Sequence, residues 1–177
     1  MSDAKAGVPH EAVVEGARAG SADALATLYQ DHGAALYRLA YRLTGSREDA
    51  EDVVHDVFVG LPEALQRYEE RGSLAAWLKR VTARVALMRL RGGRRRREVA
   101  LDGAEPDTDR SSGPDGIALQ AAVHALPDPL RSVLVLKEIE GYSHTEVGEL
   151  LGISPGVSRV RLSRAMKRLR KALEDGR

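Results

Sequence analysis

The sequence predicts an all-α fold of two small helical domains joined by a flexible acidic linker. Two observations support this. In the first half, apolar residues recur at spacings of three and four, with no convincing period-two alternation. The stretch 98–116 is rich in Asp, Gly, Ser and Pro and poor in large apolar residues, which is typical of a linker. We therefore predict a first domain over residues 1–97, a linker over 98–116 and a second domain over 117–177.

Four helical segments are expected in the first domain, and local signals mark several of their ends. The segments are 22–29, 35–43, 50–65 and 74–90. Gly45 is placed to end the second segment, and Ser46 is a plausible cap for the third, with Asp49 as the acid of a capping box. Residues 71–73 break the pattern before the fourth segment, in which Trp77 is expected to lie in the core.

In the second domain the helical pattern resumes near Ile117, is broken over 126–129 and continues over 130–140. Ser143 followed three residues later by Glu146 is a capping box, in which each residue satisfies a backbone N–H of the other. A further helix is therefore predicted to begin here.

That helix ends at Gly152, a residue that readily adopts the left-handed conformation of a sharp turn. Ser154 then caps a last helix with Pro155 at its first position. This helix carries seven bases before its first acid, Glu174, and an apolar stripe at helical spacing. The stripe consists of Leu162, Ala165, Leu169 and Leu173. Two short helices, a tight turn and a basic second helix are typical of a DNA-reading motif.

The charges are segregated along the chain, although the formal net charge is only +1. Acids dominate from Glu48 to Glu70, whereas the stretch from Lys79 to Arg97 contains nine bases and no acid. The linker is acidic again and the last helix is basic. Two separated basic blocks indicate two contacts with a polyanion.

The sequence gives no support for a metal site, a cofactor site or a hydrolase active site. The chain has no cysteine and its five histidines are dispersed, which argues against a metal or cofactor site. Residues 152–156 match a hydrolase G-x-S-x-G pattern, but Pro155 has no N–H for an oxyanion and no histidine follows His144. No catalytic residue is assigned. Without a secretion signal or a membrane-span-length apolar window, a cytoplasmic protein that does not insert into membranes is expected.

Two long stretches resemble the bacterial sigma-70 family. Residues 36–65 and 72–97 resemble its region 2, and residues 125–173 resemble its region 4. With a short linker and no further domains, the chain is similar to an extracytoplasmic function (ECF) sigma factor. The resemblance implies a non-enzymatic subunit that binds core RNA polymerase and directs it to promoters. Promoter DNA would be met as duplex and as single strand. Family members are commonly held by an anti-sigma factor, which no residue here identifies.

The resemblance also implies three sets of contact residues. The polymerase-binding set, on the segment 49–65, is Asp49, Asp52, Val53, Asp56 and Val57. The set for the promoter element near position −10 is Lys79, Arg80, Arg84, Arg91, Arg94, Arg95 and Arg96, with the loop 68–73 as the place where an unstacked base is captured. The set for the −35 element is Ser154, Arg159, Arg161, Arg164, Lys167 and Arg168, of which Arg159 and Arg161 are expected nearest the groove.

The chain departs from the family pattern at several of these places. The family's Arg-Asn pair and following Asp are replaced by Ala83, Arg84 and Met88. In the last helix, Ser158 stands where a buried valine is usual and Val160 where a small polar residue is usual. The usual base contacts cannot be carried over to these positions.

Two other classes of function compete with a sigma factor. An autonomous helix-turn-helix regulator would need a dimer interface to read two half-sites, and no heptad or extra domain provides one. A protein–protein adaptor would use the basic helices for acidic partners, which leaves the capped reader helix unexplained.

Overall fold

The computed structural model describes residues 10–69, 72–97 and 114–175, and within these ranges all regular structure is helical, which confirms the expected fold class. The α-helices are α1 (His10–Arg18), α2 (Ala22–Thr44), α3 (Arg47–Val59), α4 (Leu61–Leu65), α5 (Leu74–Arg97), α6 (Pro114–His124), α7 (Asp128–Leu134), α8 (His144–Leu151) and α9 (Pro155–Asp175). A π-helical stretch, Val135–Ile139, continues α7. The expected linker lies outside the described residues up to 113, and α6 begins inside its last three positions.

The first hydrophobic cluster holds α1 to α5 together. It is built around side chains that are at most 1% exposed, including Leu28, Leu36, Leu61 and Leu78. Helix α1 was not predicted, although its buried residues follow a helical spacing. They are Val13, Val14 and Ala17. Trp77 is partly buried against this cluster, as expected from the sequence.

Two predicted helix boundaries in this half are wrong. The segments 22–29 and 35–43 form the single helix α2, which runs through Gly33, because a single glycine costs a helix only about 1 kcal/mol. The segment 50–65 is instead divided at Gly60 into α3 and α4. Pro62 has no N–H to donate to the carbonyl of residue 58, which disfavours one continuous helix and suits the first turn of α4.

The turn between α2 and α3 follows the sequence signals in part. Gly45 has a φ of 74°, and the N–H of Asp49 donates to Ser46 Oγ at 3.2 Å. The return half of the expected capping box is not made. The N–H of Ser46 donates to Thr44 Oγ1 at 3.4 Å, and the carboxylate of Asp49 accepts from Arg89.

The second cluster spans both halves of the chain. Leu39 and Leu43 of α2 and Leu87 of α5 join residues of α6 to α9, among them Val133 and Val147. The two expected domains therefore meet across a continuous apolar contact. Among the described residues no helix combines the length and the apolar character needed to cross a membrane.

Arg131, at 5% exposure, crosses this contact. Its guanidinium donates to the carbonyls of Leu43 at 3.0 Å, His124 at 3.1 Å and Leu126 at 2.9 Å, and to Asp128 Oδ1 at 2.6 Å. One buried cation thus binds carbonyls at the carboxyl-terminal end of α2 and carbonyls at and just after the end of α6. Positive charge is favourable at the carboxyl-terminal end of a helix.

Candidate functional site

An acidic face lies on α3. Asp49, Asp52 and Asp56 are three and four residues apart and therefore share one side of the helix. All three contact the guanidinium of Arg89 from α5: Asp49 at 2.7 Å, Asp52 by a short ion pair and Asp56 at 3.9 Å. The pKa of Arg89 is raised, chiefly by the hydrogen bond to Asp49 and then by the charges of the other acids against a counteracting desolvation. Three carboxylates around one guanidinium leave this face negative overall.

Val53 and Val57 do not belong to that face. Val53 is fully buried and Val57 is 3% exposed, so both hold α3 against the core. Both valines therefore lie on the core side of α3, away from the exposed acids, and their role in polymerase binding stays a prediction.

Three of the bases expected to contact the −10 element are engaged within the molecule. Lys79 Nζ lies 2.8 Å from Glu140 Oε2, and Arg80 Nη2 lies 2.7 Å from Glu149 Oε2. Arg91 donates to the carbonyl of Leu150 at 3.2 Å. Arg84 is exposed. The side chains of Arg94, Arg95 and Arg96, in the last turn of α5, lie outside the described residues.

Glu140, which the sequence analysis did not single out, forms ion pairs with two cations of the first half of the chain. Its side chain is only 4% exposed and receives Lys79 and, at 3.5 Å, Arg42. The pKa of neighbouring Tyr142 is raised, first by burial and then by the charge of Glu140. A buried carboxylate from the second half of the chain thus takes two cations of the first half.

The loop 68–73 is described except at positions 70 and 71. Tyr68 is 9% exposed, its ring centroid lies 4.9 Å from that of Trp77, and its hydroxyl donates to the Gly72 carbonyl at 3.4 Å. The start of this loop is therefore anchored in the core by the aromatic pair, whereas positions 69, 72 and 73 are exposed.

The helix-turn-helix has the predicted end signals. Ser143 N donates to Glu146 Oε2 at 2.8 Å, and Glu146 N donates to Ser143 Oγ at 3.2 Å, which confirms the capping box. The pKa of the Glu146 carboxyl is lowered by two hydrogen bonds that Ser143 donates to it, first from the backbone N–H and then from Oγ, which lies 2.8 Å from Oε2. Gly152 has a φ of 68°, and Val157 N donates to Ser154 Oγ at 3.2 Å. The turn and the start of α9 are thereby fixed by local chemistry.

Ser158 has a hydrogen-bond partner that the sequence alone did not predict. It is fully buried, and its Oγ lies 2.9 Å from Nδ1 of His144 at the start of α8. A buried hydroxyl needs such a partner, since an unpaired one costs about 1–3 kcal/mol. The hydrogen bond satisfies the buried hydroxyl of Ser158 and joins the two helices of the motif.

The −35 set is distributed around α9. The exposed members are Ser154, Arg159, Arg164, Lys167 and Arg168. Arg161 is half-buried and lines a small cavity with Leu87 and Asp128, on the side facing the first half of the chain. A larger, mostly apolar cavity of about 560 Å³ lies between α2, α6 and α9.

Gly148 is expected to tolerate no side chain. A Cβ there would lie 2.6 Å from the backbone oxygen of Ile153, so Gly148→Ala must displace the turn and should lower the unfolding free energy by about 1–3 kcal/mol. The matched control is Gly156→Ala, whose Cβ would meet only Ser154 Oγ at 3.8 Å. Urea unfolding of both variants compares them, and equal stabilities would contradict the steric argument.

Comparison with known proteins assigns the chain to a family. The Sigma-70 region 2 family matches residues 28–96, and the Sigma-70, region 4 family matches residues 117–169. The chain is 33% identical to the ECF RNA polymerase sigma factor SigL of Mycobacterium tuberculosis, covering 92% of this chain and 96% of SigL. It is 35% identical to SigE of Mycolicibacterium smegmatis over 82% of its own length, and spans 60% of that protein.

The fold is also found in a solved structure, that of the sigma factor RpoE of Bartonella quintana in complex with the anti-sigma factor NepR. The TM-score is 0.64 at 22% identity, covering 81% of this chain and 92% of RpoE.

The helical regions and the matched families define a sigma factor of two regions, a class without enzymatic activity. Within that class, the chain belongs to the ECF sigma factors, which direct RNA polymerase to promoters. The sigma factor reading is thereby confirmed over the autonomous regulator and the adaptor.

Proposed function

We propose that this sigma factor uses three separate surfaces, with α3 for core polymerase, α5 for the −10 element and α9 for the −35 element. The observation that carries the proposal is the division of charge among exposed helices, with carboxylates gathered on α3 and bases on α5 and α9. The bases of α5 and α9 suit DNA, because phosphates attract basic helices. The acids of α3 suit polymerase and not DNA. The chain acts in the cytoplasm, where its polymerase and DNA partners are found.

The −10 function requires a change in the described arrangement. Lys79 and Arg80 are paired with Glu140 and Glu149, so binding phosphates would require these cations to exchange their partners. Polymerase binding would separate α8 from α5 and free these cations. Arg89 links the two surfaces of the first domain, since it belongs to α5 and is held by the acids of α3.

An anti-sigma factor is a further proposed partner. The cavity of about 560 Å³ between α2, α6 and α9 offers such a protein an apolar surface that includes Tyr37, Val123 and Leu169. A partner seated there would contact both halves of the chain at once and keep them together.

Reconstituted transcription tests the proposal. The full chain is added to core polymerase and a library of genomic promoter fragments, and initiated transcripts are mapped. We expect initiation from a restricted set of promoters. Tight sequence-specific binding of the chain alone, with no initiation from any fragment, would refute the proposal.

Charge reversal on α3 tests the docking surface. Asp52→Lys should weaken binding to core polymerase at least about 10-fold, a change of about 1.4 kcal/mol, because an acidic contact becomes basic. Binding is measured by fluorescence titration of labelled chain with core polymerase. Glu63→Lys, an exposed acid on α4, is the control for added positive charge.

The ion pair with Arg89 needs its own control. Arg89→Ala removes the same pairing and keeps the acids, so it should bind core polymerase at least as well as the parent chain. If Arg89→Ala and Asp52→Lys weaken binding equally, the acids act by supporting α5 and not by contacting polymerase.

A further inference from the structure

Helix α9 exposes two valines among its bases. Val160 is 52% exposed and Val157 is 41% exposed, whereas Ser158 and Ala165 are fully buried. Successive residues of an α-helix are about 100° apart, so Val160 lies about 200° from Ser158 and points directly away from the core. The outermost line of the helix is therefore apolar at this point.

The valines share their face with bases that begin one turn further on. Val157 and Arg164 lie three residues before and four residues after Val160, which places all three side by side. Lys167 and Lys171 continue the same face towards the end of α9. This face has an apolar first part and a basic second part.

The order of these two parts matches how a recognition helix meets a major groove. The first residues of such a helix contact base edges, while cations further along contact phosphates. Bases are specified by what touches their edges, and the phosphate contacts only set the position of the helix. The valines thus occupy the part of α9 that would face base pairs.

The chemistry of a valine restricts which base edge it can meet. It neither donates nor accepts a hydrogen bond, so against a polar edge it would strip water from groups and leave them unpaired. The thymine C5-methyl is the apolar group that the major groove presents. We propose that Val160, supported by Val157, reads thymine methyl groups in the −35 element, an inference that rests on the proposed role of α9.

Removing single methyl groups from the DNA tests this assignment. Promoters are first selected from a randomised duplex library with the polymerase holoenzyme formed by the full chain. Each thymine of the −35 element is then replaced by deoxyuridine, which keeps every hydrogen bond and removes only the methyl. At the thymine facing Val160, affinity should fall about 4-fold, the factor that burial of one methyl-sized group supplies.

The matching protein variant is Val160→Ser. The position is exposed, so the fold should be retained, and this holoenzyme should bind the thymine and deoxyuridine promoters equally. Met166→Ser, an exposed apolar residue on another face of α9, should keep the 4-fold preference.

Two results would overturn the inference while leaving the sigma function intact. The first is parent holoenzyme that initiates normally and shows no thymine preference at any −35 position. The second is Val160→Ser that weakens binding to both DNAs by the same factor, which would assign the valines to a polymerase contact. A chain that supports no initiation at all would overturn the proposed function, and this inference with it.

Discussion

Promoter affinity of the holoenzyme is expected to fall roughly 10³ to 10⁵-fold between about 50 and 200 mM salt, if the chain contributes about 6–10 phosphate contacts. We expect contacts from α9, where Arg164, Lys167 and Arg168 are exposed. Each contact releases condensed counterions, and added salt makes this release less favourable.

Single substitutions separate the contribution of α9 from that of polymerase. Lys167→Ala and Arg168→Ala should each reduce the slope of log affinity against log salt by about 1. Their effect should be similar on all promoters, since phosphate contacts carry no base information. Met166→Ala, which removes no charge from the same helix, should leave the slope unchanged. An unchanged slope in both charge variants would refute the phosphate contacts of α9.

The second large effect concerns stability. Arg131→Met should lower the unfolding free energy by about 3–5 kcal/mol, because it removes a cation that is 5% exposed and leaves buried carbonyls without a donor. The acceptors that lose their partner include the carbonyls of Leu43, His124 and Leu126. Against a typical total of about 5–15 kcal/mol, this is a severe loss.

Urea unfolding followed by circular dichroism measures this change. Arg67→Met makes the same substitution at an exposed position and should change stability by less than about 0.5 kcal/mol. Arg131→Lys keeps the charge and loses the planar fork of donors, so it should recover only part of the stability. Parent-like stability of Arg131→Met would contradict the structural role given to this side chain.

The helix ends near the DNA-reading motif could be predicted because their chemistry is local. Ser143 and Glu146 satisfy each other's backbone within one turn, and Gly152 requires only its own backbone freedom. Elsewhere the apolar spacing alone gave the wrong helix boundaries. Helix α2 continues through Gly33, between two segments that looked separate, and α4 begins anew with Pro62 in its first turn, inside a segment that looked continuous.

The candidate site could likewise be predicted only where the local spacing of residues determines it. Helical spacing correctly put Asp49, Asp52 and Asp56 on one face, but it could not say that Arg89 lies against them. Nor could it separate Val53, which faces the core, from the surface formed by its neighbours. The pairing of Lys79 with Glu140 joins residues 61 positions apart, a contact that no local pattern encodes.

The pairs that Glu140 and Glu149 form with Lys79 and Arg80 have a consequence for how the chain searches a genome. In the closed molecule these two cations are paired, so the apparent dissociation constant for the DNA contact that they would make is the intrinsic one divided by the open fraction. If about one molecule in a hundred were open, this contact through α5 would be about 100-fold weaker in the free chain than its surface allows. The free chain would then hold DNA chiefly through α9, and the contact through α5 would be gained when polymerase binds.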